Sequence, residues 1–467
     1  MDTVRTFALA AALLAALTAA AQPAGRKSWD ESWASSQDGA SQEVTYAKVL
    51  SVNSRDLRKD IRLEVDGLYP DAVVYVNGQE AGGRFGASVS WAVEITPFLV
   101  PGSNVIEMDL GGRPLEDGSV WLTSTEKTAV ALWGSALSVQ PADEGTARVT
   151  QRLTIRTDGL QVADIHTLIL FRGAQRLQTV AEARSTERVY DGKEVAQSFD
   201  LLDARLWSPE TPNLYIARTT VEGADGSKDV YETTFGIRSA EFHADGFYLN
   251  GEKTVPKAVR LEDSTSRDRD VWARRLLVMK KLGCNTLEVG PNPPLPQLLD
   301  LCDALGLMVA DTCPAAEEEG VVTLVRRDRN HPSVILWNVP EALADICRRE
   351  DPARPVADSV HRLDAVRPER ETHPAGAGVK VVASVDYKGE ELCFVTAQIL
   401  DRAGVGVTDA ASRISFSVQG PAVLAGGDAG DPALPFGMAS ALVRRTGEGP
   451  VTVTVMAKGL RKAVITL

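Results

Sequence analysis

The feature that most constrains the fold is a change in the spacing of apolar residues near Asp245. Before this point, apolar residues alternate in short runs, whereas residues 266–283 carry them at steps of three and four, which predicts a helix. Strands and helices then alternate: strand 285–289, helix 296–305, strand 307–310, helix 321–327 and strand 333–337, with 254–259 as the first strand. Parallel strands joined by crossover helices describe the front half of a (β/α)₈ barrel.

This stretch is too short for a closed barrel. Residues 245–378 number 134, whereas eight βα units need roughly 250 residues. Residues 348–371 are dense in Arg, Asp, Glu and Pro and offer no apolar strand, so they predict a linker or a lone surface helix. We therefore expect a partial barrel with linker over residues 244–375.

A partial barrel leaves two open sheet edges whose backbone groups need partners. The neighbouring domains, a second copy of the chain, or a separately encoded other half could cover them. We expect the protein to self-associate through these edges, and a monodisperse monomer at micromolar concentration would contradict this expectation.

Short alternating apolar runs predict β-sandwiches on both sides of the barrel. Residues 72–76 form such a run, and Asn77-Gly78 after it accepts the positive φ values of a tight hairpin. Residues 149–155 alternate over a longer segment, and the pattern returns from Val379 onward. The predicted fold is mainly β and multidomain, with a sandwich over 22–140, an Ig-like sandwich over 141–243 and a C-terminal sandwich over 376–467.

The N-terminus has the pattern of a signal peptide. Arg5 precedes an apolar run over residues 7–21 that ends in three alanines. The run is shorter than the ~20 residues that span a bilayer, and small residues before Gln22 suit signal peptidase. We expect cleavage after residue 21 and export to the periplasm or the medium, with no membrane-spanning segment in the mature chain.

The charge and the cysteine pattern exclude several functions. The chain has 63 acidic and 50 basic side chains, a net charge of −13, which disfavours nucleic-acid binding. Its five cysteines form no CxxC pair, and an odd number leaves at least one thiol unpaired. Its five histidines show no metal-binding spacing. The sequence predicts no metal site.

Nine short motifs follow one another along the chain, at residues 74–79, 206–215, 235–238, 250–252, 279–285, 292–294, 301–306, 325–337 and 416–421. In this order they resemble glycoside hydrolase family two, the β-galactosidase and β-glucuronidase group. The resemblance covers nearly the whole mature chain. It implies that the first sandwich is a sugar-binding-like jelly roll and the last an added Ig-like domain of an exported bacterial subgroup.

The resemblance implies hydrolysis of a glycosidic bond with retention, by two Glu side chains about 5–5.5 Å apart. In that family the proton donor follows the fourth strand in a tryptophan-to-glutamate run that contains Gly-Asn. Here the run is 337–341, one residue shorter and without Gly-Asn, which leaves Glu341 as the candidate acid/base. The alternative is a solvated Glu at a helix N-terminus. No serine- or threonine-glutamate-aromatic sequence follows, so no nucleophile is found.

The resemblance also implies carbohydrate as the partner. Its sugar-contacting positions fall on Asp263, Asn292 and Trp337, while the residues around them depart from the family pattern. Trp91 and Trp121 of the first sandwich could stack on a sugar or belong to the core. The family chemistry implies no cofactor beyond an occasional structural cation.

Three functional interpretations remain open at this point. The first is a relative that has lost catalysis because the nucleophile half of the barrel is missing. The second is an active retaining exo-β-glycosidase of β-galactosidase type with an unrecognised nucleophile. The third is a degraded or split gene product without activity.

Overall fold

The computed structural model describes residues 25–37, 44–67, 69, 71–86, 89–115, 118–141, 145–173, 176–261, 269–281, 283–290, 292–313, 317–357, 377–388, 392–404, 406–407, 413–425 and 438–467. The predicted signal peptide and Asp263 lie outside these residues.

The first domain is a sandwich of two mainly antiparallel sheets. Its core lies between them and contains Leu63 and Val74. Asn77 and Gly78 have φ values of 53° and 77°, so they form the predicted hairpin turn. The sheets have the orders β1-β9-β4-β7 and β2-β3-β8-β5-β6, with β1 Arg26–Ser28, β2 Ala34–Gln37, β3 Val44–Val52, β4 Asp60–Gly67, β5 Asp71–Val76, β6 Gln79–Phe85, β7 Trp91–Glu94, β8 Gly102–Asp109 and β9 Gly118–Thr125.

The second domain is also a sandwich, and buried residues alternate with more exposed ones along several of its strands, such as residues 147–156. Phe171, Tyr215 and Phe235 pack together in its core, with ring centroids 5.2 and 5.5 Å apart. The sheets have the orders β10-β11-β14 and β13-β12-β15-β16, with β10 Ala129–Pro141, β11 Ala147–Arg156, β12 Gln161–Arg172, β13 Leu177–Val189, β14 Lys193–Leu201, β15 Tyr215–Glu222 and β16 Lys228–Phe235.

The third domain is a parallel sheet preceded by a three-stranded antiparallel sheet, with β17 Ala240–His243, β18 Gly246–Leu249 and β19 Glu252–Thr254. The five strands of the parallel sheet pair in chain order, as the sequence predicts for the front of a barrel. They are β20 Ala258–Leu261, β21 Thr286–Val289, β22 Met308–Thr312, β23 Val334–Asn338 and β24 Val356–Ala357, with helices α1 Arg269–Lys281, α2 Pro296–Leu305, α3 Glu318–Asp328 and α4 Ala344–Glu350 between them.

The parallel sheet differs from the prediction at both edges. The first strand lies at Ala258–Leu261, not at residues 254–259, because Thr254 pairs with Phe247 in the antiparallel sheet. A fifth strand, β24, occurs in the segment expected to lack one. It is only two residues long, and it forms because the backbone N–H of Trp337 donates to Pro355 O over 3.1 Å.

Both faces of the partial barrel are already covered by the chain itself. Four consecutive residues of β22, from Met308 to Asp311, are each no more than 2% exposed, and neighbouring residues of a strand point to opposite faces. The core of this domain extends to Trp207 of the second domain and to Phe394 and Leu442 beyond the barrel. The faces of the parallel sheet are therefore covered, and β20 and β24 form its two edges.

The C-terminal domain is a third sandwich, and its strand β29, Met438–Arg445, packs on helix α1. Its sheets have the orders β25-β26-β29-β28 and β27-β30-β31, with β25 Lys380–Lys388, β26 Leu392–Leu400, β27 Ile414–Gln419, β28 Ala422–Ala425, β29 Met438–Arg445, β30 Thr452–Ala457 and β31 Ala463–Thr466. The predicted mainly β, multidomain fold is confirmed. Within the described ranges, the helices are too short or too polar to cross a bilayer.

Candidate functional site

The carboxyl ends of β22 and β23 bring polar side chains together, as expected for parallel strands. Thr312 and Asn338 are partners in register. The Asn338 Nδ2 donates to Thr312 Oγ1 over 3.4 Å, and Thr312 Oγ1 donates to the carbonyl of Val289. The Cys313 backbone N–H donates to Asn338 O over 3.0 Å. This rim is pre-organised, but its polar atoms are largely engaged with one another.

Glu341 lies just beyond this rim, where β23 gives way to a helical turn. Pro340 has φ −55° and ψ 139°, which ends the strand, and Glu341 begins a short 3-10 helix over Glu341–Leu343. The Leu343 backbone N–H donates to Pro340 O over 2.8 Å. Glu341 is exposed, and it lies at the N-terminus of this short helix. Its role as an acid/base stays a prediction.

Trp337 does not reach a surface in this structure. Its side chain is fully buried, and its Nε1 donates to Asp351 Oδ2 over 3.0 Å. Arg354 donates to the same Asp351 oxygen over 2.6 Å. Burial raises the pKa of Asp351, but the Arg354 charge and these hydrogen bonds outweigh it and hold that pKa below its usual range. Trp337 thus holds the carboxylate of Asp351, which lies in the loop before β24.

Among the described residues, no hydrogen bond joins Asn292 to Glu341. Asn292 is half-buried in the loop between β21 and α2, and Asp263 lies outside the described residues. Trp91 and Trp121, for which stacking on a sugar or core packing was open, are both buried.

The acid on the neighbouring strand, Asp311, lies in the interior of the domain. It is fully buried on β22, next to Asp328, whose carboxylate is held by Arg327 over 2.5 and 2.7 Å. Burial raises the pKa of Asp311 well above its usual range, and the charge of Asp328 raises it further. Burial and the neighbouring charge thus both favour the protonated form of the Asp311 carboxyl group.

Sequence reasoning missed a buried ion pair behind the sheet. His331 Nδ1 lies 2.6 Å from Asp303 Oδ2, and Asp303 Oδ1 accepts the Ser333 backbone N–H over 3.0 Å. Burial lowers the pKa of His331, but the charges of Asp303 and Asp300 outweigh it and raise that pKa to about 9. Both residues belong to motifs that carry the family resemblance, yet they lie 28 positions apart and no local spacing predicts their contact.

Asp300, Asp303 and His331 place three potential metal-ligating atoms within 4.8 Å of one another. His331 Nδ1 and Asp303 Oδ2 lie 2.6 Å apart, so in this structure the two groups form a hydrogen-bonded pair.

A second polar chain links the first domain to helix α3. Arg327 Nη1 donates to Ser90 Oγ over 2.7 Å, and Ser90 donates to Asp66 Oδ1 over 2.5 Å. Asp66 also accepts the indole N–H of Trp121 over 2.9 Å and pairs with Arg26 over 3.3 Å. These contacts fix the first sandwich against the barrel helices.

Two segments of the chain match family models. Residues 135–238 match the model described as glycosyl hydrolases family 2, and residues 382–466 match glycoside hydrolase family 2 C-terminal domain 5. A β-galactosidase, BoGH2A of Bacteroides ovatus, is 29% identical over 63% of this chain and 39% of its own length. A β-glucuronidase of Paenibacillus borealis is 26% identical over 64% of this chain and 58% of its own length.

The chain thus spans less than two thirds of the length of these curated relatives. Among solved structures, a glycosyl hydrolase family 2 member from Bacteroides cellulosilyticus superposes with a TM-score of 0.72, over 95% of this chain and 100% of that one, at 17% identity. A β-glycosidase from Bacteroides vulgatus superposes with a TM-score of 0.67 at 16% identity. These superpositions establish the shared fold.

Proposed function

Because this chain belongs to glycoside hydrolase family 2, we propose that it is a carbohydrate-associated member that has lost most or all hydrolytic activity. The observation that carries this proposal is the state of the described rim. Glu341 is a solvent-exposed carboxylate, and Asp311, an acid on the neighbouring strand, is buried beside Asp328. Retaining hydrolysis needs two carboxyl groups about 5–5.5 Å apart on opposite sides of the bond.

The side chains that precede Glu341 on β23 are hydrogen-bonded to other groups. Trp337 holds Asp351, and Asn338 is bonded to Thr312. An acid without a second carboxylate held opposite it loses the positioning on which most of its catalytic effect depends. Loss of one member of a cooperating pair costs orders of magnitude in rate.

The decisive assay uses nitrophenyl β-galactoside, β-glucuronide and β-mannoside with the wild type and with Glu341→Gln. We expect no turnover above background for either protein. Glu318→Gln, at another exposed carboxylate in the barrel domain, is the matched control. Turnover by the wild type that Glu341→Gln abolishes and Glu318→Gln retains would support the competing function, an active retaining exo-β-glycosidase.

We also propose that the protein is exported after cleavage of its first 21 residues. The support is the Arg5 and apolar pattern of the leader and the small residues before Gln22. Expression of the full chain in a bacterial host should yield a protein in the periplasm or medium whose N-terminal sequence starts at Gln22. A cytoplasmic protein that retains Met1 would contradict this proposal.

Self-association through the barrel edges is the third part of the proposal. The edge strand β20 has four residues and β24 has two, and strand edges of this kind can pair with another chain. Sedimentation at micromolar concentration should show a dimer or larger species. Lys257 O and Leu261 O accept hydrogen bonds from the β21 side, so the Arg260 backbone N–H faces the open edge of β20. Replacement of Arg260 by Pro, which removes this donor, should shift the distribution towards monomer.

A further inference from the structure

We propose that a cavity between the second sandwich and the barrel domain binds a small tetrahedral oxyanion of the sulfate or phosphate class. Three arginines, Arg238, Arg329 and Arg354, line this junction cavity together with Ser239. The cavity has a volume of about 180 Å³, far more than the roughly 10–15 Å³ that one water molecule needs. Glu341 is not part of its wall, so the inference is independent of the activity considered above.

Two of the guanidinium groups are held side by side by uncharged groups. The Arg238 Nη2 and the Arg354 Nε both donate to the carbonyl oxygen of Val334, the latter over 2.7 Å. The Arg238 Nε also donates to Pro332 O over 2.6 Å, and the Arg354 Nη2 donates to His331 O over 2.8 Å. These carbonyl groups orient the two guanidinium groups, but they do not neutralise either positive charge.

The two arginines differ in what balances their charge. Arg354 pairs with the Asp351 carboxylate over 2.6 Å. Within the described part of the chain, Arg238 bonds carbonyl oxygens and no carboxylate, and its Nη1 has no hydrogen-bond partner and is not completely buried. Burial lowers the pKa of Arg238, and the charge of Arg354 lowers it further, to about 9. Arg238 is therefore a cation at pH 7 with a donor that an anion can bond.

The third arginine of the wall, Arg329, has only a share of a carboxylate. Glu350 lies 3.9 Å from Arg329, but it also bonds Arg326 over 2.8 Å and lies 3.6 Å from Arg349. Of these three arginines, Arg349 has a second partner in Glu318. The positive charge of Arg329 is thus only partly neutralised, and it adds to the positive field in the cavity.

Among the described residues of the wall, the carboxylate is that of Glu241. Its side chain is 60% exposed, and its Oε2 lies 3.0 Å from His243 Nε2. Solvent and salt screen an exposed carboxylate more strongly than a half-buried guanidinium group. Positive charge therefore prevails inside the cavity, while Glu241 weakens the attraction for an anion from its mouth.

A tetrahedral oxyanion suits these groups because its oxygens accept hydrogen bonds and carry negative charge. Hydrogen bonds between guanidinium groups and such oxygens are among the strongest in proteins. The Ser239 hydroxyl group, whose backbone N–H is already bonded to Asn250, supplies a further donor on the same wall. Sulfate and phosphate have several oxygens for these donors, either as free ions or as esters of a sugar.

The test is calorimetric titration of the full chain at low ionic strength with sodium sulfate, sodium phosphate and D-galactose 6-sulfate. We expect saturable binding at one site per chain. Tighter binding of the sugar ester than of free sulfate would identify an ester as the ligand, and the reverse order would identify the free ion. Arg238→Gln removes a charged donor and should weaken binding about tenfold or more, with circular dichroism as the check that it is folded. Glu341→Gln should bind as the wild type.

A variant at the mouth of the cavity keeps the result decisive if Arg238→Gln fails to fold. Glu241→Gln removes a negative charge and should tighten binding about twofold at low salt, and this gain should vanish at high salt. Its matched control, Glu448→Gln at an exposed position of the C-terminal sandwich, should bind as the wild type. The proposal is overturned if none of the three probes saturates a site, if folded Arg238→Gln binds unchanged, or if Glu241→Gln binds no more tightly than Glu448→Gln.

Discussion

Replacement of Trp207 by alanine should lower the free energy of unfolding by about 4 kcal/mol, within the range of about 3–5 kcal/mol for buried Trp. The Trp207 side chain is fully buried, and it belongs to the core that joins the second domain to the barrel helices. Its Nε1 also donates to Asp303 O over 2.8 Å. The substitution therefore opens a cavity and leaves a buried carbonyl without its donor.

Guanidinium unfolding, followed by circular dichroism, measures this loss. Trp207→Phe keeps most of the ring volume and removes the indole donor, so it should cost about 1–2 kcal/mol. Phe85→Ala is the control for loss of an aromatic ring, since Phe85 is 61% exposed, and it should change stability by less than about 0.5 kcal/mol. A loss below about 1 kcal/mol for Trp207→Ala would show that the interface between these domains does not contribute to folding.

The second large effect is a dependence of stability on pH. The free energy of unfolding of the wild type should be higher than that of Asp303→Asn at pH 6.5. This difference between the two proteins should be about 2–3 kcal/mol smaller at pH 9. The pKa of His331 is about 9 in the folded protein against 6.5 for a free side chain. A raised pKa means that the stabilisation is complete below about pH 6.5 and is lost as the pH rises towards 9.

The comparison with Asp303→Asn isolates this pair from other groups that titrate in the same range. Burial lowers the pKa of Lys280 to about 8, and this effect is common to both proteins. The asparagine can still accept the Ser333 backbone N–H, so the loop contact remains. His243→Gln, at an exposed histidine paired with Glu241, should leave the pH dependence unchanged. Parallel stability curves for the wild type and Asp303→Asn would contradict the ion-pair interpretation.

Local patterns predicted the regular elements of the barrel domain well. Helix α2 begins at Pro296 and ends at Leu305, as expected from the apolar spacing and from Gly306, whose φ is 70°. The hairpin at Asn77-Gly78 followed in the same way from residues that tolerate positive φ. These features depend on a few neighbouring residues, which a sequence displays directly.

Features made by contacts between distant segments could not be predicted. Strand β24 consists of two residues whose pairing with Trp337 and Asn338 comes from the position of β23, not from any apolar run. The burial of Trp337 against Asp351 depends on a loop that folds back on the strand. For the candidate site, the sequence indicated Glu341 by its place in a motif, but the solvent exposure of its side chain depends on how the chain leaves β23.

Helix α1 has a consequence for how the chain could be shortened. Six of its residues, Trp272, Ala273, Leu276, Leu277, Val278 and Met279, are at most 7% exposed, and a helix has too few faces to hide all of them against one sheet. The C-terminal sandwich shields the remaining side through Phe394 and Leu442. The C-terminal domain therefore cannot be deleted without cost. Its deletion would expose apolar residues of helix α1 to solvent, and the shortened protein would be less soluble.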